Sequence, residues 1–364
     1  METYLKRLAD VLINYSTRVQ PNEIVVLRAL DDGEPLLKEL FRATLAAGGN
    51  PVTQTMYDWS YHLLYKYGND AQLDFINPEN EWVVDRAEVR IEVEANRNTK
   101  IFAQLDPARE QRQRRAWKKM GARFWERANS GALRWCSVQI PTESFAQDAE
   151  MSLDEWADFV YGAMLLNDPD PVARWREMSA RQQRWCDWLN GREEIQVRGA
   201  NVDLNFSIRS RKFGKADGTK NFPDGEIFTS PVENSVNGWV RFTYPLNLGR
   251  EVAGVEFHFE NGKIVRASAA KNEDALLTML DTDAGSRYVG EFGIGTNPMV
   301  TRYSNNTLFD EKMQGTFHLA VGNAFEEVGG KNESSVHYDI VCDLREGEML
   351  ADGEVFYRNG SFII

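Results

Sequence analysis

The 364-residue sequence has little of several features that mark particular protein classes. Its three cysteines, Cys136, Cys186 and Cys342, are too few and too scattered for a disulfide framework. No apolar run approaches the roughly 20 residues that a membrane-spanning helix needs, and the segment METYLKRLADVLINYS lacks the basic-then-apolar layout of a signal peptide. We therefore expect a cytoplasmic protein with reduced thiols and no membrane partner.

Acidic residues outnumber basic ones, 55 against 42, which gives a net charge of −13. Phosphate binding requires clustered lysine and arginine, so this balance argues against a nucleic-acid partner. The remaining composition, with 42% hydrophobic and 11% aromatic residues, is ordinary for a folded protein. The length exceeds that of most single hydrophobic cores and favours two domains.

The first half alternates helix-like and strand-like segments. Leu5, Leu8 and Leu12 recur at helical spacing, and the run IVVLRA at 24–29 has the composition of a buried strand. A second helical stripe, EPLLKELFRATLAAGG, follows it. A strand, a helix and another strand in this order are typical of a parallel α/β unit.

Beyond Gly191 the pattern changes to short alternating runs, with a strong hairpin signal at Asn261-Gly262. We therefore predict an N-terminal α/β domain with a mostly parallel sheet over residues 1–190. The second predicted domain, residues 191–364, is α+β and largely antiparallel.

The second half also contains residues suited to binding a metal ion. Residues 315–339 include His318, His337 and Asp339, which are two of the four histidines and a carboxylate. Side chains two positions apart on a strand point to the same face, so His337 and Asp339 would meet at one ion while Tyr338 points away. Imidazole nitrogen with carboxylate oxygen suits Zn, Co, Mn or Fe(II). The same spacing also occurs on ordinary strands that bind nothing.

Two further segments add carboxylates. Glu226 follows a turn at 223–225, and Glu291 precedes a glycine-rich stretch that we expect to hold it on a turn. A dinucleotide-binding loop is rejected there, because Pro298 occupies the position of the third glycine and no apolar strand precedes it. Hydrolases with two adjacent cations need several carboxylates and imidazoles. The candidate ligands are Glu226, Glu291, His318, His337 and Asp339.

Four segments resemble the signature blocks of a known family: GEIFTSPVENSVNG, EFGIGTNP, DEKMQGTFHLAVG and GGKNESSVHYD. The family is the aminopeptidase T/aminopeptidase S metallopeptidases, and the likeness covers nearly the whole chain. It implies an aminopeptidase that acts on peptides, with a C-terminal catalytic domain and a homodimeric assembly. It also implies a pair of divalent ions, for which the ligand types favour Zn, Co or Mn and allow Mg. The metal ligands that it implies are Glu226, Glu291, His318, His337 and Asp339. In the mechanism that we expect, Glu291 bridges the ions or, with Glu226, relays a proton to the leaving amine.

The chain departs from the family pattern in two places. Family members carry a tyrosine seven positions after the first histidine, at or near the metals, and here that position is Phe325. A phenyl ring neither binds a metal nor donates a hydrogen bond to a developing oxyanion. The segment between His318 and His337 is also shorter than in the typical aminopeptidase. Arg287 and Lys331, the nearest cations in sequence, are candidates to replace the phenol.

Two alternatives remain open. His318, His337 and Asp339 also form a set of two histidines and one carboxylate, which binds a single Fe(II), and the family has ring-cleaving dioxygenase relatives that act on dihydroxypyridines. Glu226 and Glu291 argue against this reading, because a mononuclear site has no electrostatic need for them. The other alternative is a family member that binds peptides or a partner without turnover, against which the complete ligand set argues.

Overall fold

A computed structural model describes residues 2–30 and 32–364. The first helix continues into a short π-helical turn, Leu12–Ser16. No helix among the described residues is long and apolar enough to cross a membrane. The α-helices are α1 (Glu2–Val11), α2 (Glu34–Ala46), α3 (Asp58–Tyr67), α4 (Asp70–Leu73), α5 (Pro78–Arg86), α6 (Pro107–Asn129), α7 (Glu143–Asp148), α8 (Leu153–Ala163), α9 (Pro171–Leu189), α10 (Glu273–Leu280) and α11 (Thr307–Asp310).

The strands are distributed along the whole chain and become denser in its second half. They are β1 (Ile24–Leu30), β2 (Asn50–Met56), β3 (Val89–Glu94), β4 (Arg134–Gln139), β5 (Glu194–Gly199), β6 (Val202–Ser207), β7 (Gly214–Ala216), β8 (Asn221–Phe222), β9 (Glu226–Thr229), β10 (Asn237–Arg241), β11 (Leu246–Asn247), β12 (Glu251–Val252), β13 (Glu256–Glu260), β14 (Lys263–Ser268), β15 (Val289–Gly295), β16 (Thr316–Gly322), β17 (His337–Asp343), β18 (Glu348–Ala351), β19 (Glu354–Arg358) and β20 (Ser361–Phe362).

Contacts between residues divide the chain into two compact units. The first unit consists of Met1–Trp175 and Gly218–Pro223, and the second of Arg176–Asp217 and Asp224–Ile364. In this division most of α9 belongs to the second unit. The functional boundary near residue 190 stays a prediction.

The first unit is built on a five-stranded parallel sheet with the order β2-β1-β3-β4-β8. Strand β1 is apolar and its five central residues are buried, as expected for a strand covered on both faces of the sheet. Helix α2 follows it and buries Leu36, Leu37 and Leu40. These elements confirm the predicted parallel α/β unit.

The second unit contains an eight-stranded and a five-stranded antiparallel sheet that share one hydrophobic core. The five-stranded sheet has the order β17-β16-β15-β9-β7 and is called the metal sheet below. Asn261 and Gly262 have positive φ angles of 50° and 84° and connect β13 to β14, so the predicted hairpin is present. The predicted combination of a parallel α/β half and a largely antiparallel half is confirmed. Cys136, Cys186 and Cys342 are buried free thiols.

Candidate metal centre

The five candidate ligands lie on one face of the metal sheet. Paired residues in antiparallel strands direct their side chains to the same face. Glu226 pairs with Gly295, and Glu291 pairs with Ala320, which in turn pairs with Asp339. The histidines lie in neighbouring rows: His318 pairs with Gly293 and Val341, and His337 pairs with Gly322. Tyr338 points to the opposite face, as the sequence predicted.

The opposite face of the metal sheet is apolar and belongs to the shared core. Its side chains alternate with the ligands along each strand, which is the period that a strand imposes. They include Ile227 on β9, Phe292 and Ile294 on β15, Phe317, Leu319 and Val321 on β16, and Ile340 and Cys342 on β17. The register that buries this face therefore also assembles the polar one, because a slip of one residue would reverse both.

Small residues make room for the ligands on the polar face. A Cβ atom added at Gly293 would lie 2.1 Å from Nε2 of His318, closer than any real contact. Glycine at this position is therefore required by the imidazole across the strand pair. Gly295, Ala320 and Gly322 line the same face.

The prediction that Glu291 lies on a turn is wrong. The residue belongs to β15, the central strand of the metal sheet, and all seven residues of this strand are buried. Glycine is normally depleted in strands, and this tendency misled the prediction. The pairing register shifts between Val289 and Glu291, and such bulges re-aim side chains.

The donor atoms of the five side chains converge. Nε2 of His318 lies 3.2 Å from Oε2 of Glu226 and 3.8 Å from Oε1 of Glu291. Nε2 of His337 lies 3.3 Å from Oε2 of Glu291 and 3.7 Å from Oδ2 of Asp339. Nε2 of His318 also lies 3.9 Å from Oδ1 of Asp339. Glu291 therefore directs one oxygen toward each imidazole and occupies the middle of the cluster.

Several atoms at this centre are buried without a hydrogen-bond partner among the described residues: Oε2 of Glu226, Oδ1 of Asp339 and both ring nitrogens of His318. Each buried polar atom without a partner costs about 1–3 kcal/mol. Nitrogen and oxygen atoms that face one another and lack protein partners are what a divalent cation requires. The residues present therefore fit a metal ion.

A backbone carbonyl group orients the ring of His337. Its Nδ1 lies 2.8 Å from the carbonyl oxygen of Asn323. A carbonyl only accepts a hydrogen bond, so Nδ1 carries a proton, and Nε2, which faces Glu291 and Asp339, is the nitrogen available to a cation once its own proton is displaced. Histidine ligands are commonly fixed in this way by a second partner.

Charges within the metal-free centre perturb the pKa of each candidate ligand. Burial raises the pKa of Glu226 to about 8 and that of Asp339 to about 7. Burial also acts on Glu291, but His318 and His337 beside it lower its pKa to about 2. Although burial disfavours the imidazolium form, Glu291 raises the pKa of His318 to about 9 and that of His337 to about 10. A bound cation must therefore displace protons.

Sequence reasoning missed two residues at this centre. Glu311 can offer a carboxylate oxygen to the same ion as His318 and Asp339, since these atoms lie within 4.8 Å of one another. Lys312 is buried, and its Nζ lies 2.7 Å from Oε1 of Glu226. Both residues belong to the segment DEKMQG ahead of His318. In the sequence their adjacent opposite charges resemble an ordinary surface pair.

Neither cation proposed from sequence proximity forms an ion pair with a candidate ligand among the described residues. The guanidinium of Arg287 pairs with Asp281, with NH2 2.7 Å from its carboxylate. The backbone N–H of Lys331 donates to Glu233. Among the residues that the structure describes, Lys312 is the lysine or arginine that contacts a candidate ligand.

Phe325 lies at the edge of the centre. Its ring centroid is 5.0 Å from that of His337 and 5.6 Å from that of Phe228. The side chain is partly exposed, so the ring forms an apolar wall that solvent and a substrate can reach. A hydroxyl at this ring would place a hydrogen-bond donor beside His337.

Comparison with known proteins identifies the family. The family model described as thermophilic metalloprotease (M29) matches residues 1–362. The chain belongs to this family. Membership in the M29 family makes it a metallopeptidase and implies a divalent metal cofactor.

The similar proteins cover the same length. Aminopeptidase 2 of Geobacillus stearothermophilus is 25% identical over 99% of this chain and 98% of its own length. The solved structure of wild-type AmpT from Thermus thermophilus is 22% identical, with a TM-score of 0.86 and coverage of 99% of both chains. The solved structure of 2,5-dihydroxypyridine dioxygenase from Pseudomonas putida is 13% identical, with a TM-score of 0.64 and coverage of 100% of this chain and 98% of its own. The two structures show that the fold is shared.

Proposed function

We propose that this M29 chain is an aminopeptidase that removes N-terminal residues from peptides by using a dinuclear divalent metal centre. The observation that carries the proposal is the convergence of buried donor atoms without protein partners on one face of the metal sheet. The proposed ligands are Glu226, Glu291, His318, His337 and Asp339.

Two overlapping ligand groups support two ions over one. Glu226, Glu291 and His318 form one group, and Glu291, His337 and Asp339 form another. Glu291 is common to both groups and faces each imidazole with a different oxygen. It is therefore the proposed bridging ligand.

The charge of the cluster supports the same count. Five carboxylates and the ammonium group of Lys312 meet at this centre, and −5 plus +1 leaves a net charge of −4 when all are ionised. Two divalent cations would offset this charge, whereas a single Fe(II) would offset half of it. The carboxylates are Asp224, Glu226, Glu291, Glu311 and Asp339.

Bound divalent ions would supply Lewis acidity toward the scissile carbonyl and an activated water near neutral pH. The chain's own residues orient this chemistry. The carbonyl of Asn323 fixes the ring of His337, and Lys312 fixes one oxygen of Glu226. Glu291, or Glu226 beside it, is the proposed proton relay to the leaving amine.

The dioxygenase hypothesis predicts a different metal site on the same fold. A mononuclear Fe(II) site uses two imidazoles and one carboxylate, so it would leave the buried carboxylate of Glu291 and Oε2 of Glu226 without a metal ion to bind. Leaving buried carboxylate oxygens without a partner is costly. The surplus carboxylates therefore favour the hydrolase.

The deciding experiment is metal add-back to chelator-treated protein, assayed with a panel of aminoacyl chromogenic substrates. We expect Co, Zn or Mn to restore hydrolysis, with two ions per chain by metal analysis. One iron per chain with oxygen uptake would establish the dioxygenase reading, and metal loading without any turnover would favour a non-catalytic binder. Hydrolysis that depends on none of the metals would refute the scheme.

The Phe325→Tyr variant belongs in the same assay. A hydrogen-bond donor directed at a developing oxyanion changes kcat on the order of 100-fold. We therefore expect the Tyr variant to have a higher kcat than the unaltered protein on the best substrate, by up to about 100-fold. Phe325→Leu is the matched control, because it changes the apolar wall without adding a hydroxyl. Equal rates for the Tyr and Leu variants would show that no phenol is needed here.

A cytoplasmic location and a homodimer complete the proposal. The location depends on the composition and the homodimer on the family resemblance alone, and sedimentation of the purified protein tests the assembly.

A further inference from the structure

Lys312 is a buried cation beside a proposed cation site. It lies between α11 and β16, and its side chain is only 2% exposed. Its backbone is held at both ends, since its N–H donates to the carbonyl of Phe309 at 3.0 Å and its carbonyl accepts from Asn297 at 2.9 Å. The ammonium group is therefore presented from a fixed point.

The ammonium group has three carboxylate neighbours. Nζ lies 2.6 Å from Oε1 of Glu311, 2.7 Å from Oε1 of Glu226 and 3.4 Å from Oδ1 of Asp224. An ammonium group has three N–H donors and no acceptor. One donor bonds to Glu226, and the other two carboxylates offset the charge of the ammonium group, so Lys312 is bound to the centre and is not available to a substrate.

This contact divides the roles of the two oxygens of Glu226. Oε1 is engaged by Lys312, whereas Oε2 has no hydrogen-bond partner among the described residues and lies 3.2 Å from Nε2 of His318. Without the ammonium group, Glu226 would be free to rotate or to turn both oxygens toward one ion. With it, a single oxygen faces the ligand cluster.

We propose that Lys312 is a positioning residue of the metal centre: it holds Oε1 of Glu226 so that this glutamate offers only Oε2 to a cation. The inference rests on the proposed function, because it presupposes that Glu226 is a ligand. Through its second short contact, Lys312 restrains Glu311 in the same way. The lysine thereby contacts two carboxylates of the centre with one ammonium group.

A purely electrostatic role makes a different prediction. A fixed positive charge near a cation site repels the cation, so its removal alone would tighten binding. Removal of a partner that orients a ligand weakens metal affinity or activity by about 10- to 100-fold. The direction of the change in affinity therefore distinguishes the two roles.

The test compares Lys312→Met, which removes both the donor and the charge, with Lys312→Gln, which keeps a donor without the charge. Affinity for Zn and Co is measured by chelator competition, and the visible absorption of the Co-loaded protein reports the coordination of the ion. The matched control is Lys215→Met, because Lys215 also pairs with a carboxylate, with Nζ 3.3 Å from Asp217, and contacts none of the proposed ligands in the structure.

We expect Lys312→Met to bind the metals about 10- to 100-fold more weakly and to change the Co spectrum. Lys312→Gln should recover part of the affinity, and Lys215→Met should match the unaltered protein. If Lys312→Met does not fold, as judged by circular dichroism, the Gln variant carries the test with the same expected direction.

Unchanged or tighter binding in the Lys312 variants, with an unchanged Co spectrum, would overturn the positioning role and leave the proposed function intact. If the unaltered protein bound no metal, the proposed function and the positioning role would fail together. The two failures are therefore distinguishable in one set of measurements.

Discussion

The carboxylates of the parallel sheet and those of the metal sheet are satisfied in opposite ways. In the parallel sheet, Glu92 pairs with Arg90 on its own strand, and Glu94 accepts hydrogen bonds from Ser137 and Gln139. The protein itself supplies every partner that these groups need. In the metal sheet, Glu226, Glu291 and His318 are more deeply buried, and several atoms of the cluster have no protein partner.

This difference separates a structural charge from a functional one. Burial alone does not distinguish Glu94 from Glu226, since burial raises the pKa of both. What distinguishes them is Oε2 of Glu226, which has no hydrogen-bond partner among the described residues, whereas both oxygens of Glu94 accept a hydrogen bond. The parallel sheet also has two buried polar atoms without a partner, Nε of Arg28 and Oε1 of Gln54. In the metal sheet, by contrast, such atoms belong to side chains whose donor atoms converge in groups that could hold a metal ion.

The largest expected effect comes from removing an imidazole. His318→Ala should lose high-affinity metal binding and hydrolysis, because His318 contributes to two of the three candidate ligand groups. Metal content after gel filtration and turnover on chromogenic substrates measure both losses.

Glu94→Gln is the control from the parallel sheet. Its buried carboxylate already has two side-chain partners, so the variant should keep its metal content and turnover. If His318→Ala kept its full metal content, or if Glu94→Gln lost it, the contrast between the two sheets would be wrong.

The second effect is a pH dependence of metal affinity. The pKa values of about 8 for Glu226, about 9 for His318 and about 10 for His337 mean that the metal-free centre holds protons at neutral pH. A cation has to displace them, so affinity should rise with pH, by about tenfold per pH unit for each proton displaced.

Chelator competition from about pH 6 to about pH 8 measures this slope, and calorimetry in two buffers counts the protons released. A flat affinity across that range, with no proton release, would mean that the centre binds its cation without the imidazoles and Glu226.

The smallest expected effect is on stability and concerns Asp283 in the second unit. Like Glu94 of the parallel sheet, it accepts hydrogen bonds from the protein itself. The carboxylate of Asp283 accepts hydrogen bonds from the N–H and hydroxyl of Ser335 and from the hydroxyls of Ser334 and Ser286. The bonds from Ser334 and Ser335 fix the segment that leads to His337. The N–H of Ser335 is the main cause that holds the pKa of Asp283 well below its usual value. Because this pKa is lowered on folding, the carboxylate stabilises the fold above its unfolded pKa of about 3.9, and the contribution disappears as the pH falls through the folded value.

We expect Asp283→Asn to lower the free energy of unfolding by about 1–3 kcal/mol at pH 7. The difference from the unaltered protein should shrink below about pH 4. Urea unfolding at both pH values measures it, with Asp281→Asn as the exposed control. A loss that persisted unchanged at low pH would place the effect in packing instead of in the charge.

The sequence predicted most of the fold because the relevant signals are local. Helical stripes, the apolar run of β1 and the Asn261-Gly262 turn depend on a few neighbouring residues each, and the structure has them where they were expected. The alternation of His337, Tyr338 and Asp339 is equally local.

Other features of the centre depend on partners distant in the chain. Glu291 was expected on a turn because its glycines disfavour a strand when they are considered alone. The structure explains the glycine at position 293: the imidazole of His318 on the paired strand occupies the space that a Cβ atom would need. The role of Lys312 depends in the same way on Glu226, which lies 86 positions away in the chain.

The sequence by itself predicted the parallel and antiparallel halves from periodicity, and it predicted the family and the candidate ligands from residue types together with the resemblance of four segments to that family's signature blocks. Only the tertiary structure decided that the ligands share one face, that Glu291 lies between two imidazoles and that a buried lysine holds Glu226. Those facts depend on strand register and on which charged atoms remain without partners after folding. Both are properties of residues distant in sequence that burial brings into contact.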